Sequence, residues 1–237
     1  MPDLKLGKLD AVRSLRLSDL AAYTTHKLPA PPASVDAPTN VQWGMDSNDS
    51  LGDCTIAAVD HLIAAWNADL DEQDPRPADG EIQATYFSLT GGQDTGLNEQ
   101  QVLQTWQSTG LFGNKIAAFA PFSTSNIVEM HQAVAFYRGA YLGIQCPQSA
   151  QQQFSEGKPW TYVPGSPVEG GHAICAVGYT PTTLLCVSWG ALVEVTYTFL
   201  AHFLDEAWVA VSHELVEHGN DGYGLDTSAL LADIASI

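Results

Sequence analysis

The sequence has no uninterrupted apolar run of the length, about 18 residues, that a membrane-spanning helix requires. The first 17 residues also lack the apolar stretch of a secretory signal peptide. These absences argue against a membrane partner and against export. We therefore expect the chain to stay in the cytoplasm or to be carried in a larger assembly.

Cysteines are few, and cofactor motifs are missing. No glycine-rich phosphate loop is present, which argues against a nucleotide-using enzyme. His213 and His218 flank a segment like a zinc-protease motif, but they are five residues apart and would lie on different faces of a helix. We therefore expect neither a metal nor another cofactor. The four cysteines are too few and too scattered for a disulfide scaffold, and no Cys-x-x-Cys pair is present. We interpret them as reduced thiols: Cys54, Cys146, Cys175 and Cys186.

Basic residues are also scarce. Nine lysines and arginines stand against 27 acidic residues, and the net charge is −18 at pH 7, which argues against a nucleic-acid partner. Five of the nine basic residues lie in the first 27 positions with three acids, whereas the remainder holds four basic and 24 acidic residues. This basic segment should be attracted to the acidic body or to a neighbouring subunit, unless it stays solvated and mobile.

The 237 residues, 45% of them apolar, suffice for one domain with a buried core. Prolines are dense in residues 28–38, which forbids a helix and favours an extended chain. We therefore divide the sequence into an N-terminal Pro-rich arm, residues 1–40, and a folded domain, residues 41–237, that ends in a C-terminal helix. Residues 1–40 could mediate a homo- or hetero-oligomeric assembly.

Hydrophobic periodicity predicts a helix that begins at Cys54. Ile56, Val59, Leu62 and Trp66 fall on one helix face, and Asp53 stands at the N-cap position. Further helices are predicted over residues 81–89, 99–108, 125–137 and 226–237.

Strand patterns dominate the second half of the chain. Helices followed by strands indicate an α+β protein with a helical layer on a mostly antiparallel sheet. Strands are predicted over residues 140–145, 173–179, 184–189, 192–197 and 208–211, with a short helical piece over 199–204.

Cys54 is the most informative residue because it opens a helix directly after a glycine-containing loop. Unpaired N–H groups at a helix N-terminus favour the thiolate over the thiol. The alternative is a small buried apolar residue. Downstream, His172 begins an apolar strand, and Ser188 and Trp189 end the next one. A cysteine on an early helix with a histidine over a hundred residues later is the arrangement of thiol hydrolases.

These segments resemble the papain-like cysteine peptidase superfamily over roughly residues 41–215. The matching segments are Asn48-x5-Cys54, Gly171-His172-Ala173 before Val177-Gly178-Tyr179, and Val187-Ser188-Trp189-Gly190. The sequence is also similar to uncharacterised bacterial and bacteriophage-encoded members. The resemblance implies a papain-like fold, a central helix that carries the nucleophile Cys54, the base His172, an oxyanion donor at Asn48 and a shielding role for Trp189.

The sequence departs from the family pattern at three positions. Asn48 replaces a glutamine and is one methylene shorter. Val187 replaces the asparagine that orients the histidine. Ser188 could substitute, although strand alternation is expected to point it to the other face, and Asp205 is another candidate. Asp53 adjoins the nucleophile, and its charge would raise the thiol pKa.

The resemblance implies acyl transfer on a peptide or amide by a Cys–His dyad, and the acidic body favours a substrate with basic groups. The alternative is a papain-like protein of weak or no activity that serves as a structural component, such as part of a phage virion, docked through residues 1–40. A cleft filled by the arm would favour this alternative, whereas an open cleft with an adjacent cysteine and histidine would favour the enzyme.

Overall fold

A computed structural model of the chain describes residues 4–14, 17–24, 28–69, 76–213 and 225–237. Within them a short 3₁₀ helix spans Leu20–Tyr23. The α-helices are α1 (Cys54–Asp69), α2 (Asp79–Thr90), α3 (Glu99–Ser108), α4 (Ile127–Tyr137), α5 (Gln148–Ser155), α6 (Tyr197–Phe203) and α7 (Thr227–Ile234). His218, named above, lies outside the described residues.

Six strands form one antiparallel sheet in the order β1-β6-β2-β3-β4-β5. Helix α1 packs on β3, next to the centre of this sheet. Its apolar face is fully buried, with Ile56, Val59 and Leu62 at most 1% exposed. The strands are β1 (Ile116–Pro121), β2 (Ala140–Pro147), β3 (Val168–Tyr179), β4 (Thr183–Ser188), β5 (Ala191–Thr196) and β6 (Leu204–Ser212).

The predicted fold class is confirmed: an α+β protein in which a central helix that begins at Cys54 lies on an antiparallel sheet. Strand β1 and helix α5 were not predicted. The sequence of α5 is mostly glutamine and serine, so it carries no apolar period. Strand β1 is a short apolar run that ends in proline, and periodicity alone cannot assign such a run.

The described parts of the arm, residues 4–14, 17–24 and 28–40, pack along the body of the protein. The Tyr23 hydroxyl donates to Asp233 in α7 at 2.7 Å. Farther along, Val35 and Tyr179 exchange both backbone hydrogen bonds, at 3.0 and 2.8 Å. Of the helices in the described ranges, none is long and apolar enough to cross a membrane.

Candidate active site

Cys54 opens helix α1 and is only 1% exposed. The backbone N–H of Ala173 in β3 donates to its sulfur at 3.4 Å. The backbone of Gly7, from the arm, lies close enough to the sulfur to lower the thiol pKa. The structure therefore brings the predicted nucleophile against the residue that follows the predicted base, His172, with the arm on the other side.

The His172 imidazole is held by two neighbours. Its Nε2 lies 2.8 Å from Ser188 Oγ, and its ring stacks on Trp189 with a centroid separation of 4.2 Å and an interplanar angle of 17°. The other ring nitrogen, Nδ1, has no hydrogen-bond partner among the described residues. When Nε2 carries the hydrogen and donates it to Ser188, the lone pair on Nδ1 is free to accept a proton.

The expectation that Ser188 points away from the histidine is wrong, and the strand register explains why. Cys175 in β3 lies opposite Val187 in β4, so these two side chains share one face of the sheet. His172 is three residues from Cys175 and Ser188 is one residue from Val187, so both lie on the opposite face. The position next to the missing asparagine is therefore the one that contacts the imidazole.

Asp205 does not lie beside His172, contrary to the suggestion that it could orient the base. Strand β2 separates β6 from β3, which places Asp205 about 10 Å from the histidine strand. The Asp205 carboxylate instead accepts hydrogen bonds from Lys8 at 3.0 Å and from Gln145 at 2.6 Å.

Asn48 is buried in the loop before α1, where its side-chain amide donates to the Leu51 carbonyl at 3.2 Å. The same amide lies beside the Asp53 carboxyl group. These contacts place Asn48 in the wall of the nucleophile loop, with at least one amide hydrogen engaged by that loop.

The arm runs through the cleft between the helical side and the sheet. On the sheet side, the Lys8 N–H donates to the Gly171 carbonyl at 3.1 Å. On the helical side, Leu97 accepts from the Leu9 N–H and donates to the Gly7 carbonyl, both at 3.0 Å. The arm therefore crosses the cleft as an extended strand bonded to both walls, with Gly7 at the Cys54 sulfur.

Glycines on both walls make this passage possible. A Cβ atom on Gly7 would overlap the backbone of Gly52, and one on Gly96 would overlap the Gly7 carbonyl. A Cβ on Gly171 would overlap the Lys8 carbonyl. Backbone approach this close is available only to glycine, so the two walls and the arm fit one another in shape.

Lys8 fills an acidic pocket that the sequence analysis missed. Its side chain is fully buried, and Nζ lies 3.0 Å from Asp205 and 3.1 Å from Glu206. Glu99, also fully buried, faces the ammonium group. These acids come from α3 and β6, and no local motif links positions so far apart in the sequence.

Burial dominates the electrostatics of the covered site. It raises the pKa of the Cys54 thiol to about 12 and lowers the pKa of His172 to about 3, so both groups are neutral near pH 7. Burial also raises the pKa of Asp53 to about 8. Asp53 is then largely protonated near neutral pH, which removes most of the anionic charge that was expected to oppose a thiolate.

Asp46, Asp60 and His61 form a buried cluster whose ligand-type atoms lie within 4.8 Å of one another. The Arg76 guanidinium binds both carboxylates, at 2.6 Å in the case of Asp46. The positively charged Arg76 side chain thus already takes the place that a metal ion would have between the two carboxylates. The cluster of Asp46, Asp60 and His61 therefore does not fit a metal ion.

Searches with the sequence match no protein-family model and no curated protein. The structure, in contrast, is similar to solved cysteine proteases. Xylellain from Xylella fastidiosa superposes with a TM-score of 0.68 at 14% identity, covering 90% of this chain and 98% of that one. The Carica candamarcensis protease CMS1MS2, in complex with E-64, gives a TM-score of 0.52 at 15% identity, covering 76% of this chain and 99% of that one. Digestive procathepsin L2 from Tenebrio molitor larval midgut gives a TM-score of 0.55 at 13% identity, covering 76% of this chain and 68% of that one.

The fold is therefore that of the papain-like cysteine proteases. Identities of this size establish the architecture, and the chemistry has to be argued from the residues of the site.

Proposed function

We propose that the protein is a thiol hydrolase of peptides or amides, in which Cys54 is the nucleophile and His172 the general base. The observation that carries the proposal is the geometry around His172. Ser188 and Trp189 fix the imidazole, its Nδ1 is left unpartnered among the described residues, and the next backbone N–H is bonded to the Cys54 sulfur.

In this reaction His172 takes the thiol proton and the Cys54 sulfur adds to the carbonyl carbon. The negative charge that develops on the carbonyl oxygen would be held by Asn48 and by the Cys54 backbone N–H, which at the first turn of a helix has no acceptor within that helix. Collapse breaks the C–N bond, and the leaving amine receives the proton from His172. Water then hydrolyses the thioester and regenerates the thiol.

The covered protein is latent in this proposal. Gly7 covers the Cys54 sulfur. Burial is the main cause of the pKa shifts of Cys54 and His172, and it keeps the thiol and the imidazole neutral. Release of the arm would admit water, bring both pKa values back toward their ordinary ranges and allow the ion pair to form. The occupied cleft is thus compatible with an enzyme that must first be opened.

The test is the pH dependence of iodoacetamide labelling of Cys54, read by peptide mapping, in a Gly7→Ala protein whose arm cannot seat. We expect fast labelling that persists below pH 7 and that His172→Ala abolishes on the same background. Cys146→Ala is the matched control and should change nothing, because Cys146 is buried within β2. Labelling at the rate of a free thiol, with a pKa of about 8.5 and no dependence on His172, would contradict the proposal.

A second candidate function is favoured by the arm itself. An arm bonded to both walls of the cleft would suit a structural protein that uses the papain-like fold to dock its own or a neighbour's N-terminus, for example in a virion. Sedimentation of the full chain separates the candidates. A stable oligomer with an unreactive Cys54 even in the Gly7→Ala protein supports the structural function, whereas a monomer with a reactive Cys54 supports the hydrolase.

A further inference from the structure

We propose that the acidic pocket under Lys8 is a binding subsite for a lysine side chain of a peptide substrate, and that Lys8 of the arm occupies it as an internal substitute. The claim that the bound peptide is a substrate rests on the proposed hydrolase function. The binding of a cationic side chain is argued from the pocket alone.

The pocket is built to take a cation. Three carboxyl groups surround Nζ of Lys8, and the side-chain exposure of Lys8 is 0%. Neither oxygen of Glu99 has a hydrogen-bond partner among the described residues, although Glu99 is completely buried. Burial raises the pKa of Glu99, which favours its neutral form. The Asp205 and Glu206 carboxylates lose their paired cation when the pocket is emptied, so the pocket should favour the return of a positive charge.

The pocket is also shaped for a long, unbranched side chain. Gly143 forms its floor, and a Cβ atom there would overlap Cε of Lys8 and lie 2.6 Å from Cγ of Glu206. A methylene chain can therefore pass over Gly143 and deliver its charged end to the carboxylates.

The position of the pocket ties it to the chemistry. Lys8 directly follows Gly7, whose backbone meets the Cys54 sulfur. A peptide bonded to Gly171 and Leu97 as the arm is would place one side chain in this pocket while its backbone crosses the nucleophile. Recognition of that side chain would then fix which bond is presented to the thiol.

The first experiment removes the resident lysine from the full-length protein. Lys8→Ala should raise the rate of iodoacetamide labelling of Cys54 at least about tenfold, because truncating one partner of a buried charge pair weakens seating of the arm. The matched control is Lys5→Ala, whose side chain is exposed on the same stretch of arm and should leave the rate unchanged. An unchanged rate in Lys8→Ala would show that the pocket contributes nothing to occupancy of the cleft and would overturn the proposal.

The second experiment fills the opened cleft of the Lys8→Ala protein with synthetic peptides. A peptide with the sequence of residues 4–14 should protect Cys54 from iodoacetamide. The same peptide with norleucine at the Lys8 position should need at least about ten times the concentration. Norleucine at the Lys5 position is the control and should protect as well as the native peptide. Equal protection by all three peptides would refute the subsite.

The pocket itself is tested by Glu206→Gln, combined with Lys8→Ala. This change should reduce the preference for lysine over norleucine several-fold. An undiminished preference would show that this pocket does not recognise the lysine side chain. Asp205→Asn serves as the second variant should Glu206→Gln fail to fold. Because protection needs no turnover, the outcomes are separable. If the protein prefers lysine over norleucine but hydrolyses no peptide, the proposed hydrolase function is refuted and the lysine subsite stands. If it hydrolyses peptides without preferring lysine, the lysine subsite is refuted and the hydrolase function stands.

Discussion

A single added methyl group at Gly7 should open the cleft. The Cβ of Gly7→Ala would overlap the carbonyl group of Gly52, and since both partners are backbone, no rotamer change can relieve the overlap. The arm must move away from Cys54. Movement at this point breaks at least the bond from Leu97 to the Gly7 carbonyl and the neighbouring bond from Lys8 to Gly171.

The size of the effect follows from those two bonds. Each backbone hydrogen bond contributes a net of about 0.5–1.5 kcal/mol, so their loss costs about 1–3 kcal/mol. When labelling proceeds through the open form, its rate follows the open population, and this cost corresponds to a rise of roughly 5- to 150-fold. The assay is the rate of iodoacetamide labelling of Cys54, followed by mass spectrometry under native conditions.

The control for this variant is Gly80→Ala, since a Cβ at Gly80 meets nothing within 4 Å. It should label at the wild-type rate. If Gly7→Ala gives a folded protein, with wild-type circular dichroism, and still labels as slowly as wild type and Gly80→Ala, the reasoning that the arm occludes the thiol is refuted.

Three further predictions concern the base and the buried charges. Ser188→Ala in the opened protein should slow Cys54 alkylation about 2- to 13-fold, which corresponds to the loss of one hydrogen bond of about 0.5–1.5 kcal/mol, and an unchanged rate would show that Ser188 does not position the imidazole. Burial lowers the pKa of His172 to about 3, so the folded state resists protonation, and stability should fall as the pH drops below 6.5. In thermal melts, His172→Asn should show a smaller loss of stability over this pH range, because the contribution of His172 is absent. Arg76→Met removes the positive charge that pairs with two buried carboxylates, and it should lower the free energy of unfolding in urea by about 3–5 kcal/mol. Arg13→Met removes an exposed ion pair and should lower it by at most about 1 kcal/mol.

The elements with clear local signals were predictable from the sequence. Helix α3 has the predicted bounds, 99–108, because Asn98 caps it and the apolar residues follow a helical period. Strand β3 was predicted from its apolar run but begins earlier, at Val168, because pairing with β2 extends it over Gly170 and Gly171. Pairing partners of this kind are set by tertiary structure and leave no trace in local periodicity.

The candidate site was predictable only in part for the same reason. Cys54 opens helix α1, and His172 stands at the head of the apolar run of β3, so motif spacing could single them out. The position of Ser188 depends on the β3–β4 register, which a sequence does not state. The acidic pocket depends on residues from α3, β2 and β6 meeting one lysine of the arm, and such a contact appears only in three dimensions.

The measurement that tests the central claim most directly is the capture of an acyl-enzyme. The Gly7→Ala protein would be mixed with N-acetyl-lysine p-nitrophenyl ester, the burst of p-nitrophenolate recorded and the quenched protein mapped by mass spectrometry. The account predicts a stoichiometric burst with the acyl group on Cys54, no burst in Cys54→Ala and a strongly reduced one in His172→Ala. A Cys54 that iodoacetamide reaches readily but that forms no acyl adduct would contradict the account.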